Sequence, residues 1–173
     1  MKEAAEKRTE QNFWEDLRSG KFAEMVREEA KGRRLNGPHE VFNIVKPIFA
    51  ENDDVERLYC IFLDTRNYIL GIEKMSTGTL SNSAVYPREN VKRLLALKAG
   101  AVVLVHNHPS RHTEPSGEDR LVTRKVALAI SSVDALLHDH IIVGDDYFSF
   151  SDHGIMEEIN RQVKGFFSSQ NGC

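Results

Sequence analysis

The stretch His106-Asn107-His108-Pro109, followed after a short polar loop by Ser116-Gly117-Glu118-Asp119, gathers two imidazoles, a hydroxyl and a carboxylate. The apolar run Ala101-Val102-Val103-Leu104-Val105, entered from Gly100, reads as a buried strand ending at His106. Side chains alternate along an extended chain, so His106 and His108 project from one side and Asn107 from the other. Ser116 opens a helix whose apolar positions Val122, Val126, Ala129, Ile130 and Val133 follow the 3.6-residue period. Asp119, in its first turn, faces back toward the strand end. Two neutral imidazoles and a carboxylate suit catalytic zinc: three protein ligands leave a tetrahedral position for water, whose pKa the ion lowers to about 7. The pattern predicts one zinc ion per chain at His106, His108 and Asp119. Ser116 and Asp119 also fit a capping box, in which the carboxylate only reaches back to the helix start. Two histidines ending a buried strand have little structural reason to be there, and they favour the metal reading.

His-x-His-Pro followed by Ser-x-x-Asp resembles the JAMM (MPN+) metalloprotease motif. Leu63-Asp64-Thr65, Gly78-Thr79-Leu80, Tyr86-Pro87-Arg88-Glu89, His106-Asn107-His108-Pro109-Ser110, Pro115-Ser116 and Asp139-His140-Ile141-Ile142-Val143-Gly144 resemble its bacterial RadC branch, over residues 38–155. The resemblance implies a single JAB/MPN, cytidine-deaminase-like domain in which His106, His108 and Asp119 bind the metal and Ser116 stabilises the tetrahedral intermediate. The family's upstream acid/base glutamate falls on Glu56, with Glu51 and Glu73 as the other available carboxylates. The function implied is a zinc-dependent hydrolase, a peptidase or isopeptidase acting on a peptide or protein. Arg111 departs from the branch, many members of which have glycine there; a position able to take positive φ becomes a long cation, placed to contact acidic substrates or a C-terminal carboxylate. Longer members carry a helix-hairpin-helix-like region ahead of the domain. No matching Gly-rich hairpin stands before Pro38, so a DNA role of that region is not implied here.

Two readings from other classes compete: a DNA-repair or recombination accessory protein, and a metal-bound, non-catalytic interaction scaffold. The letters His-Asn-His also head a nuclease signature, but that nuclease needs a ββα-metal arrangement and these residues lie in a strand-to-helix loop. The chain has 173 residues, 40% of them hydrophobic and 28% charged, with a formal net charge of −3. Such a chain can bury its own core, and its charge predicts weak or no nucleic-acid binding. Neither a signal-peptide pattern nor an apolar run of transmembrane length is present, which points to the cytoplasm and away from membranes. Cys60 and Cys173 show no framework spacing, and Cys60 reads as a buried thiol.

The elements that must position these groups form an α+β order: a mixed sheet flanked by helices. Residues 1–36 read as an N-terminal helical extension and 37–173 as the RadC-like domain. In the extension Phe13, Trp14, Leu17, Phe22, Met25, Val26 and Ala30 recur at helical spacing on either side of Ser19-Gly20, either as a surface for a homo-oligomer or as a helix folded onto its own domain. A helix starts at Pro38 and ends or kinks at Pro47. Leu58 to Leu63 and Tyr68 to Ile72 form a hairpin. Separate strands cover Lys74 to Thr79 and the region of Val85, and a helix over 87–98 feeds the ligand strand. A second hairpin spans residues 135–150 and a last amphipathic helix follows Ile155. Within that hairpin, Asp139 and His140 are candidate partners behind the ligands, with alternation placing His138 and His140 on one face. His39, His112 and His153 read as surface residues.

Overall fold

In the computed structural model, which describes residues 12, 15, 16, 19–50, 54–78 and 87–168, the strands Arg57–Leu63 (β1), Ile69–Thr77 (β2), Ala101–Asn107 (β3), Leu136–Val143 (β4) and Tyr147–Ser149 (β5) form one sheet in the order β2-β1-β3-β4-β5. Only β3 and β4 run parallel; the other neighbours are antiparallel. Helices Lys21–Ala30 (α1) and Pro38–Phe49 (α2) cover one face, and Pro87–Leu97 (α3), Gly117–Ser131 (α4) and Ile155–Ser168 (α5) cover the other. The chain is therefore α+β, with a mixed sheet between helical layers. Among the described residues no helix is long and apolar enough to cross a membrane.

The central strand β3 is buried along its whole length. Ala101, Val103 and Val105 pack toward α1 and α2, while Val102 and Leu104 pack among α3, α4 and α5. Each buried Val or Leu contributes roughly 1.5–3 kcal/mol, and a one-residue slip would exchange the two layers and turn His106 away from α4. His106 continues the set that faces α4. On β1 the same alternation sends Leu58, Cys60 and Phe62 to the α3–α5 side. Cys60 is fully buried; burial holds its thiol well above the usual range, with the charge of Glu73 adding to it.

Several elements differ from expectation. Helix α2 runs through Pro47 to Phe49. Proline in the last turn forfeits one helical hydrogen bond, and the burial of Ile48 and Phe49 outweighs that loss. Lys74 to Thr77 are not a separate strand, because β2 continues unbroken from Ile69 opposite β1. Strand β3 extends one residue further, to Asn107. The alternation argument for His138 fails: a register shift between Val102 and Val103, opposite the span from Leu137 to Asp139, breaks the period. His138 lies exposed, its Nε2 3.0 Å from Asn67 Oδ1. Helix α1 buries Ala23 and Ala30 against its own domain. Phe13, Trp14, Leu17, Glu51, the strand near Val85 and Cys173 lie outside the described residues.

Candidate metal centre

The β1–β3 register pairs Leu58 with His106, so Glu56, two residues earlier, falls beside His108 at the same sheet edge. Asn107 points the other way, and its amide clasps the chain on both sides of that glutamate. Oδ1 accepts from Arg57 N at 2.8 Å, and Nδ2 donates to Val55 O at 3.1 Å. Asn107→Ala leaves both backbone groups without these partners, and we expect stability to fall by about 1–3 kcal/mol. Denaturant unfolding and zinc content measured together check this: the midpoint drops, while zinc content holds because no ligand is removed.

Backbone contacts set the ligand loop. His108 N donates to Val143 O at 3.0 Å and Arg111 N donates to His108 O at 2.9 Å. A Cβ at Gly144 would lie 2.2 Å from the Arg111 carbonyl oxygen, so only glycine lets the loop rest against the end of β4. Arg111 keeps the positive φ of a glycine position, at 63°, a strained choice for a residue with a side chain. Its guanidinium lies exposed, 3.6 Å from Asp145.

Helix α4 brings the carboxylate. Ser116 is its N-cap: Ser116 Oγ accepts from Asp119 N at 3.1 Å, and Asp119 Oδ2 accepts from both Ser116 N and Ser116 Oγ at 2.7 Å. The capping box and the ligand position are thus the same carboxylate. Oδ1 faces His106, 3.2 Å from its Nε2, and Oδ2, while capping the helix, also lies 3.5 Å from His108 Nε2.

His106 Nε2 and His108 Nε2 are 2.9 Å apart, and His108 Nε2 is 3.5 Å from Asp119 Oδ2. Bonds of about 2.0–2.1 Å in a tetrahedron place ligand atoms about 3.3 Å apart. The imidazole nitrogens at 2.9 Å, with one Asp119 oxygen 3.2 Å from His106 Nε2 and the other 3.5 Å from His108 Nε2, lie close to that spacing, so the three residues have the reach and the donor chemistry for a zinc ion. Glu56 Oε1 stands further out, 3.9 Å from His106 Nε2, and all four residues offer ligand atoms within 4.8 Å of one another. Glu73 is paired with Arg93 through two contacts, one of them 2.6 Å, and takes no part in the cluster.

Charge is concentrated here. Burial alone would raise the Asp119 carboxyl, but the His106 and His108 imidazoles and the Ser116 hydroxyl beside it outweigh burial and hold the group well below the usual carboxylate range. His108 is raised, first by its hydrogen bond with Asp119, against the opposing effect of burial. Protons therefore compete for His108 as pH falls. Its Nδ1 lies 2.7 Å from the carbonyl oxygen of His112; that residue's ring is exposed, as expected, and its backbone does the orienting.

Behind His106 stands His140, completely buried, with Nε2 2.8 Å from His106 Nδ1 and Nδ1 2.6 Å from Thr123 Oγ1. Burial and the neighbouring His106 push its pKa well below the ordinary value, so the ring is neutral. Asp139, the other candidate, lies elsewhere. Its carboxylate accepts from Ser149 Oγ at 2.6 Å and from Ser151 N and His140 N at 2.8 Å, organising the turn after β5 rather than touching an imidazole. Burial raises its pKa to about 6. Thr123 and Asn107 were not legible as site residues: a threonine inside a helix and a polar residue pointing away from the ligands carry no spacing signal.

A RadC-like JAB domain model matches residues 35–155, which hold the whole cluster. The chain belongs to the RadC-like JAB family. Among RadC-like relatives, it is 42% identical over 130 residues to a UPF0758 protein of Pseudomonas fluorescens, covering 75% of this chain and 51% of that protein. A UPF0758 protein of Thioalkalivibrio sulfidiphilus is 42% identical over 127 residues, covering 73% of this chain and 56% of its own length. One from Rubrobacter xylanophilus is 41% identical over 122 residues, covering 70% and 53%. This RadC-like chain spans about half the length of the curated relatives it matches. Helix α1 precedes the matched span.

Proposed function

We propose that this RadC-like domain is a zinc-dependent hydrolase of the JAMM type that cleaves an amide bond in a peptide or protein. The carrying observation is the triangle of His106, His108 and Asp119 with Glu56 just outside it. His106, His108 and Asp119 would hold the zinc ion, which would supply Lewis acidity and lower the pKa of a bound water to about 7. Glu56 is placed to take the proton from the attacking water and return it to the leaving amine. Ser116 donates to the developing oxyanion, which requires its hydroxyl to exchange Asp119 Oδ2 for the substrate. His140 orients His106 from behind.

A groove of about 220 Å³ runs beside His108 toward the end of α2, with Phe49, Ala50 and Val143 as apolar wall, Lys46 and Arg111 as cations, and Asp145, 3.6 Å from Arg111, as the carboxylate that an acidic substrate would displace. It favours a substrate with an acidic side chain or C-terminal carboxylate, which a guanidinium holds by paired hydrogen bonds. Arg111→Gly is expected to relieve backbone strain of about 1 kcal/mol, keep the metal, and lower kcat/KM on acidic peptides relative to neutral ones. Uniformly faster cleavage would mean instead that Arg111 obstructs entry.

The test of function is a proteome-derived peptide library incubated with zinc-loaded protein. Cleavage that a chelator stops and zinc restores is the expected result. A zinc-replete protein that cleaves nothing would favour the non-catalytic scaffold. Tight, steeply salt-dependent DNA binding would favour the repair-accessory reading, for which the net charge of −3 offers little counterion release.

A further inference from the structure

Counting hydrogens behind His106 fixes which of its nitrogens is free. Thr123 Oγ1 has one hydrogen, and it donates to the carbonyl oxygen of Asp119 at 2.5 Å, an atom that only accepts. Toward His140 Nδ1, 2.6 Å away, the hydroxyl is left as acceptor, so Nδ1 carries the ring hydrogen. A ring shut away from water with only a hydroxyl and another imidazole as hydrogen-bond partners is uncharged and has one such hydrogen. His140 Nε2 is then a lone pair, and His106 Nδ1, 2.8 Å from it, must be the donor. The His106 hydrogen is thereby used, and its Nε2, the atom facing His108 and Asp119, keeps its lone pair. Thr123, His140 and His106 are each 0% exposed, so water has no access to replace a missing partner.

We propose that Thr123 and His140 are positioning residues that lock His106 in the Nδ1–H tautomer and hold its Nε2 lone pair toward the metal position. The chain starts at the backbone carbonyl of Asp119, whose side chain belongs to the same cluster, so one residue of α4 supplies a ligand and also sets the tautomer of another. The inference rests on zinc ligation by His106 as read above. Reversing the polarity has a definite consequence: a hydrogen on His140 Nε2 would point at His106 Nδ1, move the His106 hydrogen to Nε2 and close that atom to a metal.

Thr123→Val keeps the shape and removes the acceptor for His140 Nδ1–H, while Thr123→Ser restores it. The readouts are the 15N shifts of the histidine ring nitrogens in zinc-free protein and zinc affinity by competition with a chromophoric chelator. Wild type and Thr123→Ser should show His106 as Nδ1–H with equal affinity. Thr123→Val should shift His106 toward Nε2–H and bind zinc about 10- to 100-fold more weakly. If Thr123→Val does not fold, His140→Leu, which removes the acceptor for His106 Nδ1–H, should show the same loss. An Nε2–H ring at His106 in the zinc-free wild type overturns the proposal, as do unchanged shifts and affinity in the folded variants. Should the wild type bind no zinc, ligation itself fails, and the zinc-free ring shifts still decide the tautomer.

Discussion

Glu56→Gln is expected to lose about 10²- to 10⁴-fold in hydrolytic rate while retaining the wild-type zinc content. The amide keeps the size of the side chain but cannot take up a proton at this pH. Glu56 Oε1 stands 3.9 Å from His106 Nε2, further than the mutual edges of the other three residues. Such a group serves better as a proton carrier than as a structural ligand. The backbone around it is held independently by Asn107, so the substitution should leave the fold intact. Turnover of a cleaved library peptide, measured beside elemental analysis, separates the two effects. Parallel loss of zinc and rate would make Glu56 a ligand.

The second large effect is expected at Asp119, where one carboxylate serves both the helix and the cluster. Asp119→Ala should weaken zinc binding by well over about tenfold, since two imidazoles alone make an incomplete site. It should also destabilise the zinc-free protein by about 1–2 kcal/mol, because the N-cap of α4 loses its reciprocal partner. The pH dependence carries a sign. The fold holds this carboxyl below its ordinary value, so its contribution is present above the unfolded pKa of about 3.9 and lost as pH falls toward the folded value. Zinc-free wild type should therefore lose stability through that acid range more steeply than Asp119→Ala. Urea midpoints at a series of pH values test this; parallel curves would show that the carboxylate does not stabilise the fold.

What the sequence made legible follows from the physics of each feature. The strand from Ala101 and the loop to Ser116 were readable because an unbroken apolar run fixes a buried strand, and strand alternation then fixes which histidines share a side. The cap and the ligand compete as readings of Asp119 only because a linear pattern cannot show that one carboxylate reaches both the helix start and the imidazoles. His138 was misplaced because a bulge breaks alternation without a marker in the residues themselves. Pro47 does not end its helix, because the packing of Ile48 and Phe49 carries the helix past it. Thr123 and Asn107 act through hydrogen bonds to residues distant in sequence or to backbone atoms, and neither kind of partner leaves a spacing signature.

Metal stoichiometry decides whether His106, His108 and Asp119 hold one zinc ion. Protein purified without chelators, and the same protein with His106 and His108 both replaced by alanine, would be assayed for metal by elemental analysis after addition of zinc and removal of the excess. About one zinc per chain is expected in the first and essentially none in the second. Zinc-free wild type after that loading, or equal zinc in the double variant, would contradict it.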